Sequence, residues 1–127
     1  IIQEKKIKDI YEIVVTQQMI NDYANASKDF NPIHIDENFA KKTPFKKRIA
    51  HGMLSLSIIM EYLYKYYSKD WFNNSSFEGR FKNPLFAEEK IKIILEEKNT
   101  DGSKKNIKIQ CLKENGDEVV SASFTTE

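Results

Sequence analysis

Residues 53–60 restrict the fold more than any other segment, because Met-Leu-Ser-Leu-Ser-Ile-Ile-Met carries no charge. The pattern predicts a helix from near Gly52 to about Tyr67. A helix that is apolar on all sides is normally surrounded by protein. At ~1.5 Å per residue it is roughly 22 Å long, enough to cross a small domain but too short for a bilayer. We therefore expect a central buried helix whose far end, from Glu61 onward, reaches solvent.

Three segments after this helix alternate between apolar and polar residues: 91–93, 107–111 and 120–124. Alternation is typical of half-buried antiparallel strands with one face toward water. Asp101-Gly102 lies between the first two segments and Asn115-Gly116 between the last two. Such pairs are typical of tight hairpin turns, so the sequence predicts a meander of three strands.

Two further strands complete the predicted sheet. One spans 8–15, rich in β-branched and aromatic residues, and the other spans 77–81, before Asn83-Pro84. A strand, an apolar helix and an antiparallel meander make an α+β chain in which the sheet curls around the helix. This is the layout of the hot-dog fold, and we expect 1–127 to be one such domain.

Shorter helices are predicted between the first strand and the apolar helix. Thr16 is a suitable N-cap for the first, which we expect to run through Asp29 and to end at Asn31-Pro32. Asp36 is a suitable N-cap for the second, which we expect to reach about Lys42. The apolar face of the first helix is predicted to consist of Met19, Tyr23, Ala26 and Phe30.

Asp29 and His34 are the candidates for chemistry. On one continuous helix, residues five apart point about 140° away from each other. The Asn31-Pro32 break lets the chain turn, so that His34 can approach the Asp29 carboxylate. A carboxylate and an imidazole aimed at one point can hold a water molecule and move protons to and from it near neutral pH. The alternative is that Asp29 ends a helix and His34 fills a loop.

Gly52 opens the predicted buried helix. The first amides of a helix have no internal partner and lie at its positive end. A glycine there also allows a ligand to approach the backbone closely. The Gly52 N–H is therefore a candidate donor to a carbonyl oxygen that gains negative charge, although a purely structural glycine would look the same.

The blocks Asp29-Phe30-Asn31-Pro32-Ile33-His34 and Ala50-His51-Gly52-Met53 together resemble the MaoC-like dehydratases, which include the (R)-specific enoyl-CoA hydratases. The segment 80–86 also resembles the family. The resemblance implies reversible hydration of a trans-2-enoyl thioester, carried on coenzyme A or an acyl carrier protein, to an (R)-3-hydroxyacyl thioester. It implies no metal and no cofactor other than the thioester carrier.

Residue roles follow from the same resemblance. Asp29 and His34 would grip the catalytic water as an acid/base pair, and the Gly52 N–H would polarise the thioester carbonyl. The implied substrate-binding neighbours are Asn31, which also orders the turn, His51, which we expect to be mainly a structural partner of the helix end, and Met53. Met60 stands where some relatives carry a serine, which affects how the acyl chain is positioned.

Other functions remain open at this point. A hot-dog acyl-CoA thioesterase would bind the same substrates, but residues 53–60 offer no carboxylate to direct water at the carbonyl. A non-catalytic acyl-thioester-binding module and a dehydratase for an unusual acid would carry the same motif. A metal site drawn from Asp29, His34, Asp36 and His51 matches no known zinc or iron spacing.

Composition excludes several classes. There are 20 Lys and Arg against 19 Asp and Glu, so a nucleic-acid-coating protein is not expected. Cys111 is the single cysteine, which excludes a disulfide framework and is predicted to be core filler. Without an apolar membrane span or a secretory signal pattern, we expect a cytoplasmic protein without membrane partners. Hot-dog sheets commonly join in pairs, so we expect a homodimer or a higher homo-oligomer.

Two side-chain clusters are open to more than one interpretation. The basic cluster before the second block is either a solvated face or a contact for coenzyme A phosphates or an acidic carrier protein. The aromatic cluster near the end of the apolar helix is predicted to be core or subunit contact. The basic cluster consists of Lys41, Lys42, Lys46, Lys47 and Arg48, and the aromatic cluster of Tyr62, Tyr64, Tyr66, Tyr67, Trp71 and Phe72.

Overall fold

An antiparallel sheet and four helices form the part of the chain that the structure, a computed structural model, describes: residues 5–67, 75–99 and 105–126. The helices are α1 (Gln17–Ser27), α2 (Pro32–Ile35), α3 (Glu37–Lys41) and α4 (Gly52–Tyr67). The strands are β1 (Lys5–Val15), β2 (Ser75–Phe81), β3 (Glu89–Asn99), β4 (Lys105–Lys113) and β5 (Glu118–Thr126). The sheet order is β1-β3-β4-β5-β2, with every neighbouring pair antiparallel.

The predicted meander is confirmed. Ile93 pairs with Cys111, and Cys111 pairs with Val120, so the inward-facing residues of β3, β4 and β5 form continuous rows. The Asn115-Gly116 turn joins β4 to β5, and Gly116 has a φ of 92°, which a side chain rarely tolerates. The Asp101-Gly102 turn lies outside the described residues.

The helix α4 packs across the inner face of the sheet, as the sequence predicts. Its buried face packs against inward-facing aliphatic residues of β3 and β4 and against Phe124 of β5. Cys111 lies in this core, and burial raises the pKa of its thiol to about 12, so it serves as apolar filler. The buried residues of α4 are Leu54, Ser55, Ile58, Ile59, Tyr62 and Leu63.

Burial of α4 is one-sided, whereas the sequence predicts burial on all sides. Met53 is 52% exposed and Tyr64 is 48% exposed, and Ser57 and Glu61 are exposed between them. The reason is geometric: one five-stranded sheet covers one face of a helix and leaves the opposite face to solvent. None of the helices in the described segments is both long and apolar enough to span a membrane.

The helix α1 begins where the sequence predicts but ends earlier than predicted. The Thr16 side chain accepts a hydrogen bond from the Met19 N–H, which confirms the predicted cap. The predicted C-terminus is wrong: α1 ends at Ser27, and Lys28 adopts a left-handed conformation with φ of 65°. Pro32 does not end α1 but begins α2, where a proline fits because the first helical N–H needs no partner.

The apolar face of α1 also differs from the prediction. Ile20 and Ala24 are its buried residues, and Met19 and Tyr23 are half-buried. Ala26, in the last turn of α1, and Phe30, beyond the end of the helix, are both exposed. Asp36 caps α3 through a hydrogen bond from Phe39 N–H, as the sequence predicts.

Candidate active site

Asp29 lies in the short connection between α1 and α2. Its Oδ1 accepts a hydrogen bond from the Asn31 N–H at 3.3 Å. The Asn31 Oδ1 in turn accepts one from the Ile33 N–H at 3.1 Å and so caps α2. These two short polar side chains fold the connection tightly, which is why it turns within four residues. Asn31 therefore orders the turn, while the Asp29 side chain remains exposed.

His34 lies on α2 with a defined tautomer. Its Nδ1 is 2.8 Å from the carbonyl oxygen of Ile49. A carbonyl oxygen can only accept, so in the neutral ring Nδ1 carries the hydrogen and donates it. The other nitrogen, Nε2, is left with a lone pair that can accept a proton. The bond to Ile49 thus gives His34 the form that a general base needs.

The backbone around His34 is fixed from two sides. Gln17 at the start of α1 donates from Nε2 to the His34 carbonyl oxygen at 2.9 Å. The Ile49 N–H donates to the Ile33 carbonyl oxygen at 3.2 Å, and the Ala50 N–H donates to the Leu85 carbonyl oxygen at 2.7 Å. Sequence reasoning missed both Gln17 and the Ile49 carbonyl, since neither has a signature in the residue pattern.

His51 contacts both candidate residues. It is 2% exposed, and its Nε2 lies 3.1 Å from the backbone carbonyl oxygen of Asp29. Its ring stacks on the His34 ring, with centroids 3.8 Å apart and planes at 27°. Tyr23 of α1 packs against it with ring centroids at 4.9 Å. Burial lowers the pKa of His51, with the neighbouring His34 as a lesser cause, so the ring is neutral at physiological pH.

The side chains of Asp29, His34 and His51 converge. One carboxylate oxygen and one nitrogen from each ring lie within 4.8 Å of one another. Asp29 is exposed, so this cluster is open to solvent on its carboxylate side. A water molecule or a small polar group can therefore reach the carboxylate and an imidazole nitrogen from solvent at one place.

The same three groups are also the chemical types that bind a metal ion. Imidazole lone pairs lie in the ring plane, so two rings that bind one ion meet it edge-on. His34 and His51 instead lie face to face, and binding one ion with both rings would require the stack to open. Asp36, a further candidate from the sequence, caps α3 and does not join the group.

Gly52 begins α4 directly after His51. Its N–H has no helical partner, and the described part of the chain offers it no other acceptor. A Cβ at this position would lie 3.2 Å from Cε1 of Phe81, so a larger residue would require the Phe81 ring to shift slightly. Met53, next along the helix, has a half-exposed side chain. The amino end of α4 therefore presents a free amide at an exposed position beside an aromatic ring.

The sequence of this chain is similar to that of several known proteins. A family model described as MaoC like domain matches residues 2–119. A 3-hydroxybutyryl-CoA dehydratase of Methylorubrum extorquens is 26% identical over 117 residues, covering 92% of this chain and 74% of that protein. An (R)-specific enoyl-CoA hydratase of Rhodospirillum rubrum is 54% identical over 37 residues, which are 29% of this chain and 26% of that protein.

The backbone of this chain is also similar to a solved structure. The (R)-hydratase of A. caviae involved in PHA biosynthesis matches with a TM-score of 0.80 and 22% identity, covering 98% of this chain and 94% of that one. This likeness shows the hot-dog fold that the sequence predicts.

Proposed function

Since the chain belongs to the MaoC-like domain family, we propose that it is a hydro-lyase that adds water reversibly to trans-2-enoyl thioesters. The observation that supports this most strongly is the convergence of the Asp29 carboxylate with the His34 and His51 rings beside the start of α4. The printed names of two relatives, an (R)-specific enoyl-CoA hydratase and a 3-hydroxybutyryl-CoA dehydratase, support the same reaction class.

The acid/base pair activates water. A water molecule held between the Asp29 carboxylate and the His34 Nε2 loses a proton to the pair as its oxygen bonds to C3 of the substrate. The pair returns a proton to C2, so that one water is added across the double bond. The tautomer set by the Ile49 carbonyl leaves Nε2 available for this role. Asp29 and His34 act as one coupled unit, so the proton belongs to the pair.

The amide of Gly52 stabilises the charge that develops on the substrate. As water adds at C3, negative charge spreads through C2 to the thioester oxygen. A free N–H at the positive end of a helix stabilises an oxyanion at that position. The exposed position of Gly52 leaves room for the thioester to approach. The product is the (R)-3-hydroxyacyl thioester, in line with the named relative.

The substrate carrier is proposed to be coenzyme A or an acidic acyl carrier protein. Lys41, Lys42, Lys46 and Lys47 are exposed on the segment that leads to His51, and they can meet phosphates or carboxylates. Raising the ionic strength from about 0.02 to 0.5 M is expected to raise KM severalfold with little change in kcat. A KM that does not respond to salt would contradict this role for the basic cluster.

A second copy of this chain is the proposed cover for the exposed face of α4. Met53 and Tyr64 are exposed on that face and Met60 is half-buried, although the helix is mostly apolar. Sedimentation equilibrium is expected to give a homodimer or a higher homo-oligomer. A monomer at micromolar concentration would contradict this assignment.

The test of the function is a panel of trans-2-enoyl-CoA substrates of increasing chain length. Loss of the absorbance of the conjugated double bond, with an (R)-3-hydroxyacyl-CoA as product, is the expected result. His34→Ala is expected to lose this activity while the protein stays folded, and activity is expected to survive a chelator. Release of free thiol instead would indicate a thioesterase. Binding without turnover in either direction would indicate an acyl-thioester-binding module.

A further inference from the structure

The position of His51 suggests a role beyond the substrate contact that the sequence implies. We propose that His51 is a positioning residue: a neutral imidazole that holds Asp29 through its backbone carbonyl and His34 through its ring face. By fixing both, it sets the separation of the carboxylate and the catalytic imidazole. The inference rests on the proposed function, because it assigns His51 to the same acid/base pair.

The first contact ties Asp29 to the start of α4. Asp29 belongs to an irregular connection, and its own N–H donates to the Ser27 hydroxyl at a long 3.3 Å. The backbone of His51 is joined to the first turn of α4, because its carbonyl oxygen accepts hydrogen bonds from the Leu54 N–H at 3.0 Å and the Ser55 N–H at 3.3 Å. The hydrogen bond from His51 Nε2–H to the Asp29 carbonyl oxygen therefore transfers the rigidity of α4 to Asp29.

The second contact sets the plane of the His34 ring. The hydrogen bond to the Ile49 carbonyl fixes one ring atom but still permits the ring to tilt about that atom. The face-to-face stack with His51 at 3.8 Å removes this freedom. Tyr23 packs against the His51 ring at 4.9 Å and helps to keep it in place. Nε2 of His34 is thus held in one direction.

His51 acts as a neutral ring for a geometric reason. Its Nδ1 is buried and has no hydrogen-bond partner within the described segments. A proton on Nδ1 would bury a donor without an acceptor and would place a positive charge against the ring of His34. The titratable groups that face His51 are His34 on α2, Asp29 in the connection and Tyr23 on α1. A neutral His51 does not oppose the proton that His34 takes up during hydration.

Two substitutions separate the two contacts. The amide nitrogen of glutamine lies where Nε2 of histidine lies, so His51→Gln keeps a donor to Asp29 and loses the stack. His51→Phe keeps the stack and loses the donor. His51→Ala loses both.

The decisive measurement is kcat and KM of the full chain with a trans-2-enoyl-CoA that the unmodified protein hydrates. We expect kcat to fall about tenfold to a hundredfold in His51→Gln and in His51→Phe, and further in His51→Ala, with KM within about twofold. Circular dichroism is expected to show all three variants folded. A raised KM with unchanged kcat, or a loss of activity that only follows a loss of folded protein, would overturn the proposal.

An activity-independent readout uses the fact that the chain has two histidines. Long-range proton–nitrogen NMR of the labelled chain is expected to show His51 neutral at pH 7 with hydrogen on Nε2, and the neutral form of His34 with hydrogen on Nδ1. A protonated His51 at pH 7 overturns the positioning role even if hydration is observed. If these tautomers are found but no enoyl thioester is hydrated, the geometry stands and the proposed function fails.

Discussion

The two ends of α4 both carry polar side chains, but they use them differently. At the amino end, the Asp29 carboxylate is exposed. The Nε2 atom of neutral His34 is available as a hydrogen-bond acceptor, and the Gly52 N–H is available as a donor. At the carboxyl end, the Tyr62 hydroxyl donates to the Asp9 carboxylate, and the Tyr67 hydroxyl donates to Glu97 Oε2 at 3.3 Å. The amino end therefore presents polar groups to solvent, and we call it the open end; the carboxyl end pairs its polar groups within the chain, and we call it the closed end.

Aromatic packing closes the carboxyl end further. Tyr62 stacks on Tyr11 with ring centroids at 5.4 Å, and Tyr67 meets Phe124 edge-on at 5.2 Å. Burial, and then the nearby carboxylates, raise the pKa of Tyr62 and Tyr67 well above the usual value, so both hydroxyls stay protonated as donors. Polar groups at the end of a helix can take part in chemistry where they still have donors or acceptors free for a ligand. Where their donors and acceptors are bonded within the chain, as at the carboxyl end of α4, they contribute to stability instead.

The same substitution at each end tests this difference most strongly. Asp29→Asn removes the carboxylate of the acid/base pair and is expected to lower kcat/KM about a thousandfold, with little change in thermal stability because the side chain is exposed. Asp9→Asn removes the charged acceptor of Tyr62 and is expected to cost about 1 kcal/mol of unfolding free energy with hydration within about twofold. Enoyl-CoA hydration rates and urea unfolding measure both.

The control for this comparison lies within the pair itself, because each variant serves as the other's reference. Loss of hydration in Asp9→Asn equal to that in Asp29→Asn would contradict the division between an open end and a closed end. So would an Asp29→Asn variant that retains the wild-type rate.

Sequence patterns predicted the fold better than the environment of the site. The uncharged run in α4 and the alternating strands identified the core, because burial imposes a period on the residues. The predicted end of α1 was wrong, because Lys28 adopts a left-handed conformation and a lysine does not indicate such a helix end. The expected full burial of α4 was also wrong. Composition shows that a helix is apolar, but it does not show how much of the helix one sheet covers.

At the site, Asp29, His34 and Gly52 could be singled out from the sequence, because a carboxylate, an imidazole and a glycine at a helix start each indicate a chemical role by residue type alone. The partners that orient them could not. The Ile49 carbonyl is a backbone atom and exists at every position, so only the folded chain reveals that it faces His34. The stack of His51 on His34 joins residues from different elements, and sequence distance says nothing about ring planes.

A smaller effect is expected from Gly52→Ala at the open end. The added Cβ would lie 3.2 Å from the Phe81 ring, which is 55% exposed and can move aside. We therefore expect little loss of stability but a fall in kcat/KM of about tenfold, because the methyl and the displaced ring crowd the amide. Phe81→Leu in the Gly52→Ala background separates the two causes: recovered activity identifies the ring, and unrecovered activity identifies the methyl. Wild-type activity in Gly52→Ala alone would contradict a role for close approach at this amide.

At the closed end, Tyr62 and Asp9 are expected to show a coupling energy in the free energy of unfolding and no effect on the kinetics of hydration. Tyr62→Phe removes the hydroxyl that donates to Asp9 and is expected to lower the unfolding free energy by about 1 kcal/mol. Combined with Asp9→Asn it forms a double-mutant cycle, in which the second substitution is expected to cost much less than it does alone. Additive costs would show that the hydrogen bond contributes little, and the carboxyl end would then depend on aromatic packing instead.

The pH dependence of stability gives the smallest expected effect and returns to the open end. Burial lowers the pKa of His51 in the folded chain, so in the range between that lowered value and about 6.5 the unfolded chain binds more protons than the folded chain. Folding stability from this group is therefore fully present above about pH 6.5 and is lost as the pH falls through this range. Asp29, His34 and Tyr23 surround position 51 in both the wild type and His51→Gln, so the difference between the two reports the titration of the side chain at that position. Urea unfolding at pH 7.5 and pH 5.5 is expected to show a larger acid-induced loss in the wild type than in His51→Gln. An equal loss in both would mean that His51 takes up a proton as readily in the folded chain as in the unfolded one, which is incompatible with a neutral ring stacked on His34.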